Sequence, residues 1–185
     1  MNSYRINSNY TKALLMLASE VGDIDRVAED MRLVGSVATA NRELASVFSS
    51  PVVKADKKAA ILRDLFADHV GEATMAFLVF VVRKNRTANL AGISEAYLDL
   101  WRGERGIVLS DFVSYQPIDD SAREMVARIV GDYTGRKVEL QDRTDARMLG
   151  GFKLEFDHNM YDARIRTKIR KLRREFARND YESKL

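Results

Sequence analysis

The spacing of the apolar residues changes once along this chain, at Gly106, and that change limits the folds open to it. Up to Arg105 they recur at three- and four-residue intervals, which places them on one side of an α-helix. Beyond Gly106 comes Ile107-Val-Leu-Ser-Asp-Phe-Val-Ser-Tyr115, rich in β-branched and aromatic residues and readable as a strand. The pattern predicts a helical domain over 1–105 and a small αβ domain over 106–185. A length of 185 residues is enough for one large or two small domains.

The helices are predicted from their stripes. Tyr10, Ala13, Leu14, Leu17 and Val21 follow the cap candidates Ser8 and Asn9, and Ile24, Val27, Ala28, Met31, Val34 and Ala38 repeat the pattern. A short third helix around Leu44, Val47 and Phe48 stops at Ser50-Pro51, because proline disfavours helix in its predecessor. The fourth sets Ile61, Leu62, Leu65 and Phe66 against Lys57, Lys58, Arg63 and Asp64. The fifth, Glu72 to Lys84, is apolar almost all round through Met75-Ala-Phe-Leu-Val-Phe-Val-Val82, which predicts a central helix enclosed by its neighbours. Leu90, Ile93, Tyr97, Leu100 and Trp101 form the sixth.

After the strand, Pro117 and a Ser121-x-x-Glu124 capping box start a helix with Met125, Val126, Ile129, Val130 and Tyr133 on its face, and Gly135 ends it. Residues 137–140 and 151–156 alternate as short strands. The final helix carries Ile165, Ile169, Leu172 and Phe176 at spacings of 4, 3 and 4, a stripe expected to pack on the sheet. The expected fold class is mainly α, a six-helix bundle followed by a small α+β domain in the order β-α-β-β-α.

Composition removes most catalytic chemistry. With no cysteine there is no disulfide, thiol nucleophile or thiolate metal site, and His69 and His158 lie far apart, so neither a metal nor a cofactor is expected. Gly131 and Gly135 enclose three residues where a P-loop needs four, and Lys137 is followed by valine. Gly135 is better read as a helix end, and Gly150-Gly151 as a close backbone approach at a bend into a strand. Asp157, His158 and Asp162 could form an acid-base cluster, but no nucleophile accompanies them and a strand-to-helix turn needs such polar residues anyway.

Between 164 and 178 stand eight basic side chains and one acid, a net +7 against +3 for the whole chain. A helix so charged suits nucleic acid, anionic lipid or an acidic protein, and the lack of interleaved aromatics disfavours nucleic acid. The longest apolar run, Met75 to Val82, is far short of the ~20 residues that cross a bilayer. The N-terminus shows neither a secretory signal nor a transit-like segment, which favours a bacterial source. Helix 5 carries more apolar surface than a small bundle readily hides, and the small Ala13 and Ala76 would let another helix approach.

The run Val138-Glu-Leu-Gln-Asp-Arg-Thr144-Asp145-Ala-Arg-Met148-Leu-Gly150-Gly151-Phe-Lys-Leu154-Glu155, together with Tyr10-x-Lys12-Ala13-Leu14, Pro51, Phe77, Arg86, Leu90 and Ile93, resembles the delta subunit of F-type ATP synthases, the oligomycin-sensitivity-conferring protein family. The resemblance covers essentially the whole chain. It departs at Lys84-Asn85-Arg86-Thr87, where the family often has Asn-Gly-Arg-Leu, at Ala91, where proline is common, at Asp162-Ala163-Arg164-Ile165, where Asp-Gly-Ser-Val is usual, and at Asp157, which replaces a frequent glycine. The resemblance implies a non-catalytic stator subunit that joins the catalytic head to the peripheral stalk, so that proton flow stays coupled to ATP synthesis.

It further implies that the N-terminal domain binds an alpha-subunit N-terminal helix through Tyr10, Ala13, Leu14, Leu17, Ala76, Phe77 and Phe80. The C-terminal domain would hold the b-type stalk subunits, with Gly150, Gly151, Asp162 and the 165–176 stripe shaping it. Other subunits of the head are implied as partners, with no nucleic acid. The implied location is the cytoplasmic face of a bacterial inner membrane, held there only through the complex.

Overall fold

A computed structural model describes the backbone of residues 2–177 and the side chains of 7–176; Arg178, the last member of the basic cluster, lies outside the described residues. The chain is mainly helical with a small C-terminal sheet, and divides into two compact units, Met1–Glu104 and Arg105–Leu185.

The first unit is built from α1 (Asn2–Val21), α2 (Ile24–Ala40), α3 (Arg42–Ser49), α4 (Ala55–Phe66), α5 (Glu72–Arg83), a 3-10 turn at Thr87–Asn89 and α6 (Leu90–Arg105). Its core gathers Leu14, Met31, Val34, Leu62, Leu78, Val81, Leu90, Ile93 and Tyr97, all essentially inaccessible. Helix α1 begins well before the expected caps Ser8 and Asn9. Its buried line is Thr11, Leu14 and Ala18, so Ala13 and Val21 face solvent instead. Thr11 can sit inside because its hydroxyl donates to Asn7 O at 2.7 Å. Gly22, at φ +78, then turns the chain, with Asp23 N donating to Ala18 O.

Two buried charges overturn the simple polar-out reading. Lys58, expected on the solvent side of α4, is 3% exposed. Its ammonium donates to Phe48 O at 2.8 Å, near the negative C-terminal end of α3, and lies 3.4 Å from Thr87 Oγ1. Asp30 of α2 is also buried; it accepts from Gly71 N at 2.8 Å and Thr74 Oγ1 at 2.7 Å, and pairs with Arg26. Gly71, the N-cap of α5, has no side chain, so Asp30 supplies the missing cap from another helix.

The second unit runs β1 (Ile107–Ser114), α7 (Asp120–Thr134), β2 (Lys137–Thr144), β3 (Phe152–Phe156), β4 (Asn159–Asp162) and α8 (Ile165–Ala177). The sheet order is β2-β1-β3-β4, with β1 and β2 parallel across α7 and the other pairs antiparallel. Strand β4 was not expected; four residues are too short to show a period, and pairing with β3 across a two-residue turn holds them extended. Asp119 caps α7 by accepting from Ala122 N at 2.7 Å, displacing the expected Ser121 box. Gly135 ends α7 at φ +68. Val108, Phe112, Val130 and Leu154 make the core, flanked by Val126, Val138 and Leu140.

Two of the four family departures fall on left-handed backbone: Asn85 at φ +55 and Asp157 at φ +51. Asn and Asp are the side chains that best tolerate this region, so both turns survive without glycine. The stripe of α8 does not pack on the sheet as expected. Ile165, Ile169, Leu172 and Phe176 are 43%, 42%, 51% and 85% exposed.

Candidate partner-binding surfaces

Side chains of α1 and α5 meet in the first unit, where Tyr10 and Phe80 place their rings 6.0 Å apart at 51°. Phe80 is 43% exposed, with the Lys84 ammonium 5.5 Å from its ring centroid. Ala13 and Ala76 are exposed, and Tyr10 and Leu17 are half-buried. Of the expected contact residues, Leu14 and Phe77 lie in the core, at 0% and 5% exposure, and form the floor instead of the surface. Helix α5 is therefore not enclosed all round: Thr74, Phe77, Leu78, Val81 and Val82 point inward while Ala76 and Phe80 remain accessible.

Sequence reasoning missed the other border of this face. Met75, Ala76, Val79 and Phe80 line a shallow cleft of about 380 Å³ that Arg63 and Arg83 flank. Arg63 stands on α4, whose packing against α5 leaves no trace in either helix's own period.

In the second unit, α7 buries Val130 fully and Val126 in part, while Met125, Ile129 and Tyr133 are 60%, 59% and 71% exposed. Ile129 and Tyr133 share a cleft of about 570 Å³ with Phe152, Phe156, Met160 and Tyr161. Tyr133 sits edge-on to Phe156 at 5.7 Å, and Phe152 stacks on Tyr161 at 5.9 Å. Met160 and Tyr161 belong to the unpredicted β4, so no sequence signal pointed to them.

Asp157, Asp162 and the glycine pair have structural roles of their own. Gly150 (φ +134) and Gly151 (φ +84) bring the chain against the β4–α8 turn, where a Cβ on Gly151 would press into Ala163 O and lie 3.0 Å from Arg164 Cα. Asp157 pairs with Arg136 at 2.6 Å, away from Asp162. Asp162 accepts from Arg164 N at 3.0 Å and Thr167 Oγ1 at 3.0 Å, tying the turn before α8 to its first turn. The Arg164 guanidinium, hydrogen-bonded to the Asp162 carboxyl, holds that carboxyl well below the usual range. Among the described residues no three acidic or histidine side chains gather as a metal site, and no helix is long and apolar enough to cross a membrane.

Residues 6–176 match the family described as ATP synthase delta (OSCP) subunit. The ATP synthase subunit delta of Cytophaga hutchinsonii is 35% identical over 177 residues, covering 96% of this chain and 97% of that protein. Its counterpart in Chlorobium luteolum is 33% identical over 175 residues, covering 94% and 96%. A chain in the cryo-EM structure of the Toxoplasma gondii mitochondrial ATP synthase hexamer shares the fold, with a TM-score of 0.72 at 18% identity over 92% of this chain and 97% of that one. By its match along nearly the whole length and by these relatives, the chain belongs to the ATP synthase delta (OSCP) subunit family.

Proposed function

We propose that this chain is the non-catalytic stator subunit of a proton-translocating ATP synthase, linking the catalytic head to the peripheral stalk so that the head resists rotor torque. Membership of the delta (OSCP) family carries the general role: a structural, peripheral subunit whose partners are other subunits of the same enzyme. The finer assignment gives one partner to each unit. The N-terminal helices, acting as one bundle, hold an N-terminal helix of an alpha subunit on the α1/α5 face. Tyr10, Ala13, Leu17, Ala76 and Phe80 touch it, and Leu14 and Phe77 support them from below. The C-terminal unit holds b-type stalk subunits. The complex places the chain at the cytoplasmic face of a bacterial inner membrane.

The observation that carries this reading is the accessible Phe80 ring beside Tyr10, with exposed alanines, Ala13 and Ala76, on the same two helices. An aromatic anchor between small residues lets a second helix approach closely and bury an apolar stripe. Two contacts on one chain raise effective concentration, so a moderate affinity at each gives a durable link. Resistance to torque then depends on slow dissociation.

The test is titration of the full chain with a labelled peptide of the alpha-subunit N-terminus. Covering the exposed part of Phe80 is worth roughly 2 kcal/mol, so Phe80→Asp should weaken binding at least roughly thirtyfold while melting like the parent protein. A folded Phe80→Asp variant with undiminished affinity would refute the assignment. Phe77→Asp cannot serve, because a charge in the core destabilises the unit itself.

A further inference from the structure

The uncovered stripe of α8 is narrow and regular, and its geometry identifies the kind of surface it takes. At 100° per residue, Ile165, Ile169, Leu172 and Phe176 fall within an arc of roughly 60°. Their spacing of 4, 3 and 4 is the d-a-d-a alternation of a coiled coil, not the broader face of a helix lying on a sheet. The positions flanking the stripe, e and g in that register, are Arg166, Lys168, Arg173 and Glu175, three basic and one acidic. The first turn is anchored: Thr167 Oγ1 donates to Asp162 at 3.0 Å, and Ile165 N donates to Gly150 O at 3.1 Å. Beyond that turn the stripe remains open to solvent.

We infer that α8 is one strand of an intermolecular coiled coil whose partner is a heptad-repeat helix carrying acidic residues at the positions facing Arg166, Lys168 and Arg173. The inference rests on the reading that the C-terminal unit holds a stalk subunit, and it names the helix, the register and the charge by which it does so. A second copy of α8 would set arginine and lysine against each other along both flanks, which the register penalises. A lipid surface needs a wider apolar arc, and here cations begin about 40° from either edge of the stripe. The paired strand spans about 18 Å, three turns, too short to hold alone and suited to reinforcing a second contact.

The probe is a synthetic four-heptad peptide with Ile at a, Leu at d and Glu at e and g, against the same peptide with Lys at e and g; like charges keep each from pairing with itself. The full chain should bind the Glu peptide, more weakly as salt rises, and the Lys peptide at least about tenfold less well. Leu172→Asp should cost about a hundredfold, and the combined Arg166→Glu, Lys168→Glu, Arg173→Glu variant should exchange the two preferences. All three substituted side chains are away from the core, so unchanged melting is the control for folding. Equal binding of both peptides, binding of neither, or tighter binding to phosphatidylglycerol vesicles or duplex DNA than to the Glu peptide would overturn the inference.

Co-purification with the stalk subunit separates the two levels of the argument. If the parent chain fails to bring it down, the assignment of the C-terminal unit fails. If Leu172→Asp brings it down as fully as the parent, only the coiled coil is overturned.

Discussion

Replacing Gly151 by alanine should unfold the C-terminal unit far more readily than the same change at Gly135, although both glycines are left-handed. At Gly135 (φ +68) a Cβ meets nothing within 4 Å, so the cost is conformational alone, about 1 kcal/mol. At Gly151 (φ +84) the same conformational cost applies, and the new methyl also presses into Ala163 O, with Arg164 Cα at 3.0 Å and the Ala163 carbonyl carbon at 3.1 Å. These atoms are backbone, fixed by the bond from Ala163 N to Phe152 O at 2.9 Å, so they cannot swing aside. Overpacking of this kind adds about 2 kcal/mol, for a total near 3 kcal/mol. For a unit of this size the melting temperature should fall by about 4–8 °C for Gly135→Ala and roughly 15 °C for Gly151→Ala.

Far-UV circular dichroism follows both units. The chain's single tryptophan, Trp101, lies in the N-terminal unit, where its indole donates to Asp25 at 2.9 Å, so its fluorescence reports on that unit separately. The fluorescence transition should stay in place in both variants. Equal shifts for the two substitutions would show that the close approach at Gly151 does not constrain the fold, and the steric account of the glycine pair would be wrong.

Asp30→Ala removes the acceptor for Gly71 N and Thr74 Oγ1 and leaves the start of α5 uncapped inside the unit; urea unfolding followed by Trp101 fluorescence should show a loss of about 2–3 kcal/mol. Burial, with Glu104 and Asp25 nearby, pushes the Tyr97 hydroxyl up to about 12. A buried phenol that keeps its proton longer than the unfolded chain contributes stability that is complete below pH ~10 and is lost between there and about 12, so Tyr97→Phe should flatten the alkaline limb of the unfolding curve. Asp162 works in the opposite sense. Its contribution is complete above the ordinary carboxylate value near pH ~4 and fades as pH falls through its depressed folded value, so Asp162→Asn should reduce the acid sensitivity of the C-terminal unit in a titration of ellipticity.

The helical stripes, the change of period at Gly106 and the glycine turns were legible in the sequence because each is a local property, set by side-chain spacing and backbone sterics within a few residues. Gly135 ends α7, and Gly150 and Gly151 bring the backbone close, as their positions implied. The apolar helix 5 and the four-residue intervals of α8 were legible as patterns, but their surroundings were not. Phe77 and Phe80 stand three residues apart in one unbroken apolar run, yet one is core and the other surface. The register in which α5 meets its neighbours decides that, and no feature within the run encodes it.

Charges obey the same division. Lys58 reads as solvent-facing until the end of α3 is brought against it, nothing in α2 marks Asp30 as the acceptor for the start of α5, and β4 has no period of its own, only a partner strand. Side-chain spacing and backbone sterics were enough for the helices, for three of the four strands, for the glycine turns and for the family. Which half of each apolar stripe stays uncovered was set by packing, because burial depends on the shape of what lies against a segment as well as on what the segment contains.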